Sequence, residues 1–132
     1  MGLRISRALQ AQMLESAART PEREVCGLIF GTGDDMVTDI QECANVAGNP
    51  ADAFEIDPAS LIAAHKAERA GGPSLIGCYH SHPNGVASPS LRDVESGWGM
   101  NVLWLIVAGN QLTAWRSAGP GMLDRVEIDA TD

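Results

Sequence analysis

Long apolar runs are missing from this sequence, and so are paired cysteines, basic stretches and stacking motifs around its tryptophans. The most apolar segment, Val102 to Ala108, is seven residues long, far short of the roughly 20 that a membrane-spanning helix needs. The first residues carry Arg4, Arg7 and Glu15 and no apolar core, so no signal peptide is expected. The opening Met1-Gly2-Leu3-Arg4-Ile5-Ser6 matches the loose N-myristoylation pattern and is read as coincidence or a cloning remnant. The three cysteines, Cys26, Cys43 and Cys78, are odd in number and form no CxxC pair. That argues against a disulfide framework and against a four-cysteine zinc site, and points to a reducing cytoplasm. Nine basic residues against seventeen acidic ones leave a formal charge of −8. Such a body repels phosphate backbones, so neither nucleic acid nor a membrane is an expected partner.

What is present suffices for a core. At 45% hydrophobic and 20% charged over 132 residues, the chain fits one domain spanning 1–132. No repeat or linker is visible, and glycine and proline are spread as turn residues. Residues 6–19 read as an amphipathic helix, with Leu9, Met13 and Ala17 recurring at i+4, Ser6 as N-cap and Thr20-Pro21 as the stop. Residues 24–30 read as a buried strand, and 36–43 as a second strand joined to it through a glycine-rich turn. Residues 45–57 are irregular. Asp57-Pro58 opens a helix to about Ala70, ended by Gly71-Gly72-Pro73. Residues 75–81 form a third strand and 83–88 a loop, and Ser88-Pro89 starts a short helix that fades near Gly97-Trp98-Gly99. Residues 102–108 and 112–115 make a hairpin around Gly109-Asn110-Gln111, and 122–128 a last strand. Hairpin-linked strands interleaved with helices predict an α/β (α+β) class, a single mixed β-sheet flanked by helices.

Two of the three histidines sit in Tyr79-His80-Ser81-His82-Pro83. On a strand, residues i and i+2 share a face, so both imidazoles can converge on one cation. Asp93 lies eleven residues on, within the helix opened by Ser88-Pro89, and a strand end followed by a helix start can return its carboxylate over the histidines. Two histidines and a carboxylate leave one zinc position open, as catalytic sites do. Ser90 shares a helix face with Asp93, and its hydroxyl there can donate to the oxyanion of a scissile carbonyl. A plainer role for Ser90 is helix capping, for which Ser88 is the better fit.

His80-Ser81-His82-Pro83, then six residues, then Ser90-Leu91-Arg92-Asp93 resembles the signature of the JAMM (MPN-plus, or JAB-domain) metalloproteases, in their small prokaryotic form. The resemblance covers most of the chain: Glu24-Val25-Cys26-Gly27-Leu28-Ile29 looks like the family's first core strand, and Leu75-Ile76-Gly77-Cys78-Tyr79 like the strand leading into the histidines. It implies an MPN fold related to zinc deaminases. It implies Zn²⁺ held by His80, His82 and Asp93, Glu24 as general base, and Ser90 stabilising the tetrahedral intermediate. Residue chemistry alone does not separate Glu24 from Glu15, Glu22 or Glu42. The resemblance also implies the activity: hydrolysis of the peptide or isopeptide bond after the C-terminal Gly-Gly of a ubiquitin-like or sulfur-carrier protein.

The segments beside the site are short, 84–89 and 97–101, which speaks against selection of one ubiquitin-chain linkage. Two rival readings stand beside the peptidase. A non-catalytic MPN-type scaffold module would lack some of Glu24, His80, His82, Ser90 and Asp93, all of which are present. A deaminase would want H-x-E with a P-C-x-x-C partner, which is absent. Cys78 shares the face of His80 and His82 and is read as buried core, as are Cys26 and Cys43. His65 is read as a partly exposed helix residue, and Trp98, Trp104 and Trp115 as core or edge packing. Monomer and homodimer both stay open, as does the amine released.

Overall fold

The computed structural model describes residues 2–33, 35–90, 93, 102–119 and 121–131. In chain order they form β1 (Leu3–Ser6), α1 (Arg7–Arg19), β2 (Cys26–Thr32), β3 (Met36–Cys43), α2 (Pro58–Arg69), β4 (Ser74–Ser81), β5 (Leu103–Ala108), β6 (Gln111–Gly119), β7 (Met122–Val126) and β8 (Ile128–Thr131). The strands make one eight-stranded mixed sheet in the order β7-β6-β5-β4-β2-β3-β1-β8. β4 and β5 run parallel, as do β1 with β3 and β1 with β8; the remaining neighbours are antiparallel. The α+β class expected from the sequence is the one observed.

Both helices begin where their caps dictate. The Ser6 hydroxyl accepts from the Leu9 N–H at 3.1 Å, and the Asp57 carboxylate from the Ala59 N–H at 3.1 Å, with Pro58 in the first turn. Strand alternation then divides the core in two. Ile29, Tyr79, Leu103, Leu105 and Val107 face α1, packing with Leu3, Ile5 and Met13. Cys26, Leu28, Phe30, Cys78 and Trp104 face the other way, toward Ile56 and Ala64. All three cysteines are free; Cys26 and Cys78 are buried and Cys43 is half-buried. His65 is exposed on α2, and Trp104 is buried. Trp98 and the expected end of the short helix lie outside the described residues.

The sequence reading is corrected at both ends of the chain. The sequence reading assigns no element before Ser6; β1 lies there and buries Leu3 and Ile5 completely. The expected strand over 122–128 is two strands, β7 and β8, parted by Glu127. These two lie at opposite ends of the strand order, joined by that one residue. A flat eight-stranded sheet would hold its edges about 34 Å apart, whereas a one-residue link reaches about 7 Å. The sheet therefore curls until its ends meet: the Leu3 N–H donates to the Glu127 carbonyl at 2.7 Å, and a cleft there is lined by Gly2 and Leu3 from one end and Arg116 and Arg125 from the other.

Candidate metal centre

The site forms where β2 meets β4. Antiparallel register pairs Cys26 with His80. One step on, the Ser81 N–H donates to the Val25 carbonyl at 2.9 Å, and the Val25 N–H to the Ser81 hydroxyl at 2.8 Å. Glu24 thus falls across from His82, and the alternation that turns Cys26 and Cys78 toward α2 turns Glu24, His80 and His82 the same way. Glu24 lies just before β2 rather than within it. His80, His82, Asp93 and Glu24 are all buried.

Their donor atoms converge. His80 Nε2 and His82 Nε2 are 3.0 Å apart, and each lies 3.0 Å from one oxygen of Asp93. Glu24 closes the group: one ligand atom each from Glu24, His80 and His82 lie within 4.8 Å of one another. The His82 Nδ1 contacts the Val86 carbonyl at 2.7 Å. A carbonyl only accepts, so Nδ1 carries the proton and Nε2 presents a lone pair to the centre. The His82 lone pair and the Asp93 carboxylate face the same point, with His80 Nε2 beside them, and call for positive charge between them. Zinc fits this donor chemistry. Its ligands, about 2.0–2.2 Å from the ion, stand about 3.3–3.6 Å apart in a tetrahedral site, a small outward step from the separations seen here.

Charge states follow the same geometry. Burial lowers the His80 pKa, and the neighbouring Asp93 does not offset it. Burial also works against His82⁺, but the Asp93 hydrogen bond, the Val86 carbonyl and the charges of Asp93 and Glu24 together raise its pKa. Burial pushes Asp93 up, yet the two imidazoles and the Ser90 N–H more than reverse this and hold it below the usual carboxylate range. The neutral-leaning His80 and the ionised Asp93 are in the states that bind a cation, and the raised His82 pKa records the negative charge that faces the same point.

The supporting contacts are local and specific. Ser90 and Asp93 cap one another: the Asp93 N–H donates to the Ser90 hydroxyl at 3.1 Å, and the Ser90 N–H to the Asp93 carboxylate at 2.8 Å. This reciprocal capping box corrects the expectation that Ser88 caps the turn. The Ser90 hydroxyl accepts in this bond, so its proton stays available to donate. Phe54 stacks on His80 with centroids 4.3 Å apart, and Trp104 meets the same ring edge-on at 5.7 Å. His80 Nδ1 has no hydrogen-bond partner among the described residues, so away from the centre this ring is held by packing. Cys78 pairs with Leu28, one pleat from His80, lies outside the converging group, and has its thiol pushed well up by burial. Beside the site opens a cleft of about 190 Å³ lined by Glu24, His82, Val86 and Ser90, with Ala51 and Asp52.

Sequence reasoning passed over Asn45, in the stretch read as irregular. Its side-chain NH₂ donates to the carbonyls of Glu24 at 2.9 Å and Ala53 at 3.0 Å, and its oxygen accepts from the N–H groups of Ala47 and Glu55, each at 3.0 Å. The Glu24 N–H in turn donates to the Pro50 carbonyl at 2.7 Å. The segment that carries Phe54 is thereby tied to the residue facing His82. One asparagine in an aperiodic stretch leaves no pattern by which to find this.

The chain is similar to known proteins in sequence and in fold. Residues 6–118 match the family model described as prokaryotic homologs of the JAB domain. A Haloferax volcanii protein named Desampylase is 35% identical over 107 residues, covering 80% of this chain and 77% of that protein. A Thermus thermophilus protein named "Probable TtuB-protein conjugate cleaving protease" is 36% identical over 97 residues, covering 73% of this chain and 64% of its own length. In fold, the crystal structure of a JAB1/MPN domain protein from Archaeoglobus fulgidus superposes with a TM-score of 0.61 at 20% identity, over 98% of this chain and 97% of that one. The chain is a hydrolase and belongs to the family of prokaryotic JAB-domain homologs.

Proposed function

We propose that this chain is a zinc-dependent peptidase or isopeptidase that cuts after the C-terminal Gly-Gly of a ubiquitin-like or sulfur-carrier protein. The observation that carries it is the convergence of His80, His82 and Asp93 at 3.0 Å separations, with Glu24 alongside. The names of the relatives, a desampylase and a conjugate-cleaving protease, support the substrate class.

In this reading His80, His82 and Asp93 hold the metal. When bound, zinc supplies Lewis acidity, polarising a carbonyl and lowering the pKa of water to about 7. Glu24 takes the proton from the attacking water and returns it to the leaving amine. The Ser90 hydroxyl donates to the oxyanion as the carbonyl carbon becomes tetrahedral. The Val86 carbonyl keeps the His82 proton on Nδ1, which leaves Nε2 free to bind.

The test is incubation of zinc-loaded protein with conjugates of the ubiquitin-like proteins encoded by the same genome, with mass spectrometry to locate any cut. Cleavage after Gly-Gly by wild type but not by Glu24→Gln is expected. If wild type cuts none of these conjugates, the reading fails.

A further inference from the structure

The segment from His82 to Asp93 supplies two of the three converging groups, and most ties of its described residues are within the segment. The Gly85 N–H donates to the His82 carbonyl at 3.1 Å, the Val86 N–H to Asn84 Oδ1 at 2.9 Å, and His82 Nδ1–H to the Val86 carbonyl at 2.7 Å. At its start the His82 N–H reaches the sheet through the Val107 carbonyl at 2.7 Å. Beyond Val86, Asp93 meets His80 on β4 at 3.0 Å, and a backbone group of the segment is held from β6: the Thr113 hydroxyl donates to the Ala87 carbonyl at 2.7 Å.

That hydroxyl is itself held. The Trp115 indole N–H donates to Thr113 Oγ1 at 2.9 Å, which turns the hydroxyl proton outward to Ala87. Thr113 and Trp115 are two residues apart on one strand and share a face. Register carries this face across the sheet, from Thr113 through Ile106 to His80. Thr113 is buried, and the Arg125 guanidinium packs over the Trp115 ring at 5.3 Å. A donor chain of this kind polarises each successive bond and fixes the direction of the last one.

We propose that Thr113 is a positioning residue: with Trp115 it braces the His82–Asp93 segment from β6 and so holds His82 and Asp93 at the spacing a divalent cation requires. The inference rests on the metal-site reading above. Without the brace Ala87 is free to shift, the Val86 carbonyl moves with it, and the orientation of His82 loosens.

The test is zinc affinity of the full chain, measured by competition with a chromophoric chelator and no substrate. Thr113→Val keeps the β-branched shape and removes the hydroxyl; the zinc dissociation constant is expected to rise about tenfold, as for loss of a partner that orients a metal ligand. Thr113→Ser restores the hydroxyl and is expected to stay within about twofold of wild type. Wild-type affinity in Thr113→Val, or equal weakening in Thr113→Ser, would overturn the proposal. Should Thr113→Val not fold, Trp115→Phe removes only the indole donor and is expected to weaken zinc about threefold; no change there would also overturn it. Because no substrate enters the assay, wild type that binds zinc but cuts no conjugate would sink the proposed function and leave the brace standing.

Discussion

Glu24 and Ser90 are the two residues whose roles separate most cleanly by substitution. Glu24 is buried across from His82, with ligand atoms of Glu24, His80 and His82 within 4.8 Å of one another. Glutamine keeps its shape and removes its basicity. Loss of a general base costs about 10²–10⁴ in rate, so Glu24→Gln is expected to slow conjugate cleavage by that factor at wild-type zinc content, checked by metal analysis beside the kinetics. Ser90 has two consequences, because its hydroxyl caps the turn that carries Asp93 and faces the cleft. Ser90→Ala is expected to lower kcat by about 10²–10³ through the lost oxyanion donor and stability by about 1 kcal/mol through the lost cap. Turnover and urea midpoint measured on the same sample read these effects apart. A kcat drop without destabilisation would remove the capping role.

At the scale of elements, the segment between β3 and α2 has little regular structure and depends on Asn45. Four backbone groups satisfy, and are satisfied by, that one amide. Asn45→Ala leaves these part-buried and exposed groups to find water, and each intramolecular hydrogen bond lost costs a net of about 1 kcal/mol. We expect a total loss of about 3 kcal/mol in urea unfolding, with His80 loosened as Phe54 shifts. A change under about 0.5 kcal/mol, within ordinary surface-substitution range, would show that the loop holds itself. The two helices and the β5–β6 hairpin, by contrast, were legible from Ser6, Asp57-Pro58 and Gly109-Asn110, because caps and tight turns are written within four or five residues.

For the whole molecule, the decisive feature is closure of the sheet. β8 lies alongside β1 over four residue pairs, Leu3 with Ile128 through Ser6 with Thr131. It covers backbone groups that would otherwise form a bare edge beside the fully buried Leu3 and Ile5. A chain ending at Val126 is expected to melt at least about 10 °C lower by circular dichroism. An unchanged melting temperature would mean that β1 needs no partner on that side. Neither β1 nor β8 was legible in the sequence. Each is four residues long, and their pairing is parallel between distant segments, so no turn announces it.

The sequence by itself determined the chemistry on offer and its local geometry. His80 and His82 share a strand face because alternation is built into extended backbone. Asp93 and Ser90 meet because three residues make about one helical turn. The tertiary structure decided which distant groups join them. The β2–β4 register sets Glu24, which the family resemblance names, against His82, and only the fold sets β8 against β1, Thr113 against Ala87 and Phe54 against His80. These pairings span tens of residues, and the burial of two whole sheet faces fixes them. No short window of sequence carries that information.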